Sequence, residues 1–141
     1  MGIRVLLVDD EASFVETLSK RLVLRRLDVL TAASADEALA ILDREQIDVV
    51  VLDVRMPGIG GIEATRMIRK AHPSVEVILL TGHASLEASM EGMTMGAFDY
   101  LLKPVSIDEL LFKIEDADRR RSLRQKQADA SSTDSLEKKP G

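Results

Sequence analysis

Apolar residues fall along this chain in two alternating rhythms. Near-continuous runs at residues 3–8, 48–53 and 75–80 are rich in Val, Leu and Ile, a shorter and more mixed run lies at 27–32, and Tyr100, Leu101 and Leu102 form the last. Runs that are apolar at every position predict strands covered on both faces, as in a parallel sheet. Between them, apolar residues recur three or four positions apart. Phe14, Leu18 and Leu22 share one helical face, as do Ala64, Met67, Ile68 and Ala71, and again Ile107, Leu110, Leu111 and Ile114. Leu86, Met90, Met93 and Ala97 predict a fourth buried stripe, so Met90 and Met93 are expected in the core. Residues 34–45 open with Ser34 and carry Glu37 three positions on, a capping box. Pro73 closes the third helix.

Five strands alternating with five helices predict an α/β fold. The expected architecture is a five-stranded parallel sheet with right-handed crossovers and helices on both faces. Ligands of such sheets bind beyond the carboxyl ends of the strands. Here the first strand ends in Asp9 and Asp10, followed by Glu11; the third ends in Asp53, the fourth in Thr81 and Gly82, and the fifth in Lys103 and Pro104. Taken singly, these are ordinary residues: Asp10 reads as a helix cap, Asp9 as a solvated strand end and Asp53 as a turn residue. Taken together they bring three carboxylates, a hydroxyl and an ammonium to one edge. Clustered carboxylates repel one another unless a cation intervenes, and an all-oxygen set suits Mg²⁺. Asp53 is then a candidate nucleophile, since a carboxylate can form an aspartyl phosphate. Lys103 offers a point charge and Thr81 a hydroxyl for phosphoryl oxygens. The set fits phosphoryl transfer by positioning and charge neutralisation.

Composition narrows the picture further. The 141 residues suit one domain, and the absence of cysteine excludes disulfides, thiolate nucleophiles and thiolate metal sites. A formal net charge of -5 argues against nucleic-acid binding through the whole surface. No charge-free apolar run approaches the roughly 20 residues of a membrane span, and the first apolar run is cut short by Asp9, Asp10 and Glu11, unlike a signal peptide. A cytoplasmic location is expected.

At this point the motifs are recognisable. Val-Leu-Leu-Val-Asp9-Asp10-Glu, Val-Val-Leu-Asp53-Val-Arg-Met-Pro57-Gly, Leu-Leu-Thr81-Gly and Tyr100-Leu-Leu-Lys103-Pro104 resemble the receiver domains of response regulators in two-component signalling, over about residues 3–120. The resemblance implies a flavodoxin-like sheet of order 2-1-3-4-5. It implies that Asp53 accepts a phosphoryl group from a histidine kinase or a histidine phosphotransfer protein. Mg²⁺ would be held by Asp10 and Asp53, with Asp9 and the backbone carbonyl of Arg55. Lys103 and Thr81 would hold the phosphoryl oxygens, and Tyr100 would turn inward as Thr81 moves. Phosphorylation would alter the face formed by the fourth helix, last strand and fifth helix, changing affinity for a downstream protein or for a second copy of the chain. Such a protein catalyses its own phosphorylation and dephosphorylation and is not an enzyme acting on an external substrate. A phosphohydrolase would usually need a general acid two residues beyond the nucleophile, where this chain has Arg55.

Arg55 and His83 are also candidates for screening an acyl phosphate from water, or simply for pointing into solvent. His72 reads as a surface residue. After Ala117 the pattern changes: Arg119, Arg120, Arg121, Arg124 and Lys126 are followed from Ala128 by a Ser-, Asp- and Lys-rich stretch. The expected organisation is a receiver domain over 1–120, then a basic helix extension with a disordered tail or linker over 121–141. The basic cluster admits three readings: an exposed helix extension, the start of a linker, or a nucleic-acid patch, the last disfavoured because no aromatic residues accompany it. A stand-alone receiver is favoured over a receiver cut from a larger DNA-binding or ATPase regulator controlled by dimerisation.

Overall fold

A computed structural model gives the structure and describes residues 2–82 and 86–137. Its elements run β1 (Arg4–Val8), α1 (Ala12–Leu24), β2 (Asp28–Ala32), α2 (Ala35–Arg44), β3 (Val49–Asp53), α3 (Gly61–Ala71), β4 (Glu76–Thr81), α4 (Leu86–Thr94), β5 (Asp99–Leu102) and α5 (Ile107–Glu137). The strands form one parallel sheet in the order β2-β1-β3-β4-β5. The central strands β3 and β4 are buried throughout, whereas the edge strand β2 is partly exposed. That difference is why the central strands are continuous apolar runs and the edge strand is mixed.

Alternation along each strand sorts the core into two layers. Leu6, Val8, Val50, Leu52, Val77 and Leu79 face α2 and α3, whose Ala38, Ile41, Ala64 and Ile68 cover them. On the opposite face Val5, Leu7, Val49, Val51, Ile78 and Leu80 pack beneath Leu18 and Leu22 of α1 and Leu110 and Ile114 of α5. The predicted capping box at the start of α2 forms in part: the Glu37 backbone N–H donates to Ser34 Oγ at 3.2 Å, whereas Glu37 Oε2 accepts the backbone N–H of Ala33, one residue before the cap, at 3.0 Å.

The expectation for α4 is corrected. Met90 is 60% exposed and Met93 38%, so they are not core residues. The buried positions of α4 are Ser89 and Gly92, and a Cβ on Gly92 would stand 2.3 Å from Leu79 Cδ1. Only small residues let α4 approach β4 this closely, and the methionines are thereby turned outward. In the C-terminal region, α5 runs as helix to Glu137. Its amphipathic packing ends at Ala117, and its next turns are tied down by charge. Glu76, 2% exposed at the start of β4, pairs with Arg124 at 2.8 Å, Arg69 at 3.5 Å and Arg120 at 3.7 Å, while Arg121 pairs with Asp48 at 3.4 Å. The basic cluster is therefore more than an exposed helix face.

Candidate functional site

The parallel sheet delivers the carboxyl ends of β1, β3, β4 and β5 to one edge. On β1 and β5, Asp9 and Lys103 follow Leu7 and Leu101 at two-residue spacing, and on β3 Asp53 follows Val51. Alternation therefore puts all three on the side covered by α1 and α5. The Lys103 ammonium donates to Asp9 Oδ2 at 3.0 Å and lies 3.3 Å from Asp53 Oδ1. The other oxygen of Asp9, Oδ1, accepts the Glu11 backbone N–H at 3.0 Å, so this residue is buried with both oxygens engaged. Asp10 is exposed beside it, and the N-cap of α1 is Glu11, so Asp10 is not the helix cap. Single carboxylate oxygens of Asp9, Asp10 and Asp53 lie within 4.8 Å of one another.

Three carboxylates thus cluster where one ammonium pairs with two of them, and the electrostatics follow. Burial pushes the Asp53 carboxyl above its ordinary range, and the charges of Asp9 and, less strongly, Asp10 add to this against the opposing pull of Lys103. For Lys103, burial works to lower the pKa, but the hydrogen bond to Asp9 and the charges of Asp53 and Asp9 outweigh it and hold the ammonium raised. The donor set is oxygen only, with more negative charge than Lys103 neutralises. That is the environment a hard divalent cation fits.

The backbone that aims Asp53 is itself constrained. The Gly61 N–H, at the start of α3, donates to the Val54 carbonyl at 2.9 Å, and a Cβ on Gly61 would lie 2.3 Å from the Asp53 carbonyl oxygen. The return of the chain after Asp53 therefore needs a glycine at this position.

Of the remaining residues singled out from the sequence, Thr81 is buried at the end of β4, one position beyond the Leu80 that pairs with Asp53, and its hydroxyl donates to the Gly82 carbonyl at 3.0 Å. Tyr100 is half-buried on β5, opposite Leu79 and on the same sheet face as Thr81. Arg55 is exposed in the loop after β3. His83 lies outside the described residues. His72 caps α3, and its Nε2 lies 3.1 Å from Asp43 Oδ1. One contact escaped the sequence: the Phe14 ring, with its centroid 4.4 Å from Lys103 Nζ. Its helical spacing with Leu18 and Leu22 marked it only as packing, and the only local clue is its position one turn beyond Asp10.

Fold and pocket together define a doubly wound α/β protein with an acidic site at its strand ends. Comparison with known proteins makes the assignment specific. The response regulator receiver domain family matches residues 5–115, and the chain belongs to that family. It is 38% identical over 113 residues to the transcriptional regulatory protein GlrR of Escherichia coli, an alignment covering 80% of this chain and 26% of that protein. Against the DNA-binding transcriptional regulator NtrC of Salmonella typhimurium it is also 38% identical, covering 80% of the chain and 24% of the relative. The chain thus spans about a quarter of the length of these curated relatives. Among solved structures, a response regulator receiver domain protein from Clostridium thermocellum superposes with a TM-score of 0.82 at 36% identity, covering 86% of this chain and 98% of the other. Among the described residues, no helix is long and apolar enough to cross a membrane.

Proposed function

We propose that Asp53 is the phosphoacceptor of a signalling switch, taking its phosphoryl group from a phosphohistidine of a histidine kinase or histidine phosphotransfer protein. The observation that carries this reading is the clustering of Asp9, Asp10 and Asp53 at the carboxyl edge of the sheet, with the Lys103 ammonium paired to Asp9 and Asp53. In the transfer, an Asp53 carboxylate oxygen bonds to phosphorus as the phosphorus–nitrogen bond to the donor imidazole breaks. Lys103 and the Thr81 hydroxyl hold the phosphoryl oxygens, acting by charge and position. Asp9, Asp10 and Asp53, with the Arg55 carbonyl, would hold Mg²⁺, which supplies positive charge against the phosphoryl oxygens when bound. The chain catalyses its own phosphorylation and dephosphorylation, with no turnover of an external substrate, in the cytoplasm.

The output surface in this reading is the face of α4, β5 and α5. Met90, Met93, Leu102 and Phe112 are all exposed there, an apolar set for a downstream protein or a second copy. Thr81 and Tyr100 link the pocket to it: both lie on one sheet face, so movement of Thr81 toward a phosphoryl group opens space on the side where Tyr100 packs. The length of the relatives supports a second reading, in which this unit is the receiver, residues 1–120, of a larger regulator reached through the extension 121–141.

Amide NMR with beryllofluoride and Mg²⁺, a mimic of the phosphoryl group, tests the switch. Shifts are expected at Asp10, Asp53, Thr81 and Lys103, spreading to Tyr100 and α5, and absent from Asp53→Asn. Shifts confined to the pocket would remove the output face from the proposal, and no response would overturn the phosphoacceptor role.

A further inference from the structure

The Lys103 ammonium lies 3.0 Å from Asp9, 3.3 Å from Asp53 and over the face of Phe14, 4.4 Å from its centroid. An ammonium carries three donors on a flexible four-carbon stem. Two carboxylates do not use up its approach, and the Phe14 ring lies beside it as well. The ring is placed there by α1. Side chains on a helix lean toward its N-terminus, so a residue in the first turn reaches back over the acidic end of the sheet. The ring is partly buried, and like Val105 and Ile107 it packs against the core layer beneath α1 and α5. With Leu18, the same three residues line a cleft of about 220 Å³ between the two helices.

The choice of an aromatic ring has a chemical consequence. A carboxylate at this place would attract the ammonium more strongly and would compete with incoming phosphoryl oxygens. A ring face attracts a cation through its quadrupole, cannot titrate, and offers no lone pair to a metal. It keeps the ammonium inside the site yet lets it pass from carboxylate to phosphoryl oxygen. We propose that Phe14 is a positioning residue for Lys103, confining the ammonium to the phosphoacceptor pocket by a cation–π contact. This rests on the reading of Asp53 as phosphoacceptor and Lys103 as the holder of phosphoryl oxygens.

The test uses the full chain, Mg²⁺ and acetyl phosphate. In this reaction an Asp53 oxygen–phosphorus bond forms, the acyl oxygen–phosphorus bond breaks and acetate leaves. Phe14→Leu keeps an apolar side chain without a ring, and Phe14→Tyr keeps the ring face. Two readouts are taken: the rate of Asp53 phosphorylation, and the proton shifts of the Lys103 ε-methylene, which a ring face displaces upfield. Wild type and Phe14→Tyr are expected to share the displaced shift and the rate. Phe14→Leu should lose the displacement and slow by about three- to tenfold, the range of a partly desolvated cation–π contact. A Phe14→Leu protein that is phosphorylated at the wild-type rate overturns the inference, as do ordinary ε-methylene shifts in the wild type. Should Phe14→Leu fail to fold, failure of Phe14→Tyr to keep both readouts overturns it instead. A wild type that takes up no phosphoryl group overturns the phosphoacceptor reading itself, a result distinct from a phosphorylated wild type matched by its Leu variant.

Discussion

At Asp53 the protein carries a negative charge where burial and two like charges oppose it. Its pKa is raised first by burial and then by Asp9, with Lys103 only partly offsetting them. The folded state therefore holds the proton more tightly than the unfolded chain. The resulting penalty is fully present above the raised folded value and disappears as pH falls through that value to the ordinary aspartate range near about 4. Asp53→Asn is accordingly expected to raise the melting midpoint by a few degrees at neutral pH without divalent ions, and the gap should close toward about pH 4. Mg²⁺ should reverse the order, because a cation held by the three carboxylates stabilises only the folded form that has them. Thermal melts across pH, with and without Mg²⁺, check both parts. A wild type that melts above Asp53→Asn at neutral pH in chelator would show that Lys103 already balances the site. Lys103 does not complicate the window: its raised pKa keeps it charged throughout, and its favourable share is lost only at alkaline pH.

At the level of the element, α4 shows what periodicity can and cannot reveal. Leu86, Met90, Met93 and Ala97 have the spacing of a buried face, yet Leu86, Met90 and Met93 are exposed. Close approach to β4 is made by Ser89 and Gly92, and small residues leave no hydrophobic signal in a sequence. Gly92→Val is expected to destabilise the fold by about 1–3 kcal/mol, since its new side chain meets fully buried Leu79. Met90→Gln should change stability by no more than about 0.5 kcal/mol. Urea unfolding of both variants decides, and the opposite ranking would return the methionines to the core. The strands were legible for the converse reason: β3 and β4 are covered on both sides, so their burial is written into every position. The acids and Lys103 were legible because a parallel sheet collects all its carboxyl ends on one edge. Phe14 and Glu76 were not, because each acts through partners far away in sequence, just past β5 and on α3 and α5.

Across the whole molecule the two edges of the sheet carry opposite arrangements of charge. At the carboxyl edge one lysine pairs with two acids of a cluster of three; at the amino edge one buried acid, Glu76, pairs with Arg69, Arg120 and Arg124. Burial lowers the Arg69 pKa and Glu76 opposes this, while the crowding charges of Arg124 and Arg120 lower it further. The same cluster holds the turns of α5 that follow Ala117, helped by Arg120 stacked 5.6 Å from the Phe98 ring and by Arg121 between Asp48 and Asp118. A helix that is polar all round has little stability of its own at this length. The clasp on Glu76 is then what keeps the first turns of the extension helical and fixes the direction in which α5 leaves the domain. Glu76→Gln removes the shared carboxylate and leaves three guanidinium groups to repel one another. Because those arginines are partly solvated, the expected loss is about 1–3 kcal/mol, below that of a fully buried broken pair. Hydrogen exchange should show the loss locally, with amides from 118 to 130 losing protection while β1 and β3 keep theirs. Arg124→Ala should give a weaker version of the same pattern, since Arg69 and Arg120 still neutralise the acid. Unchanged protection over 118–130 in Glu76→Gln would mean that the extension stands as a helix without the clasp, and the direction of α5 would then have to be set by Ile114 and Ala117 alone.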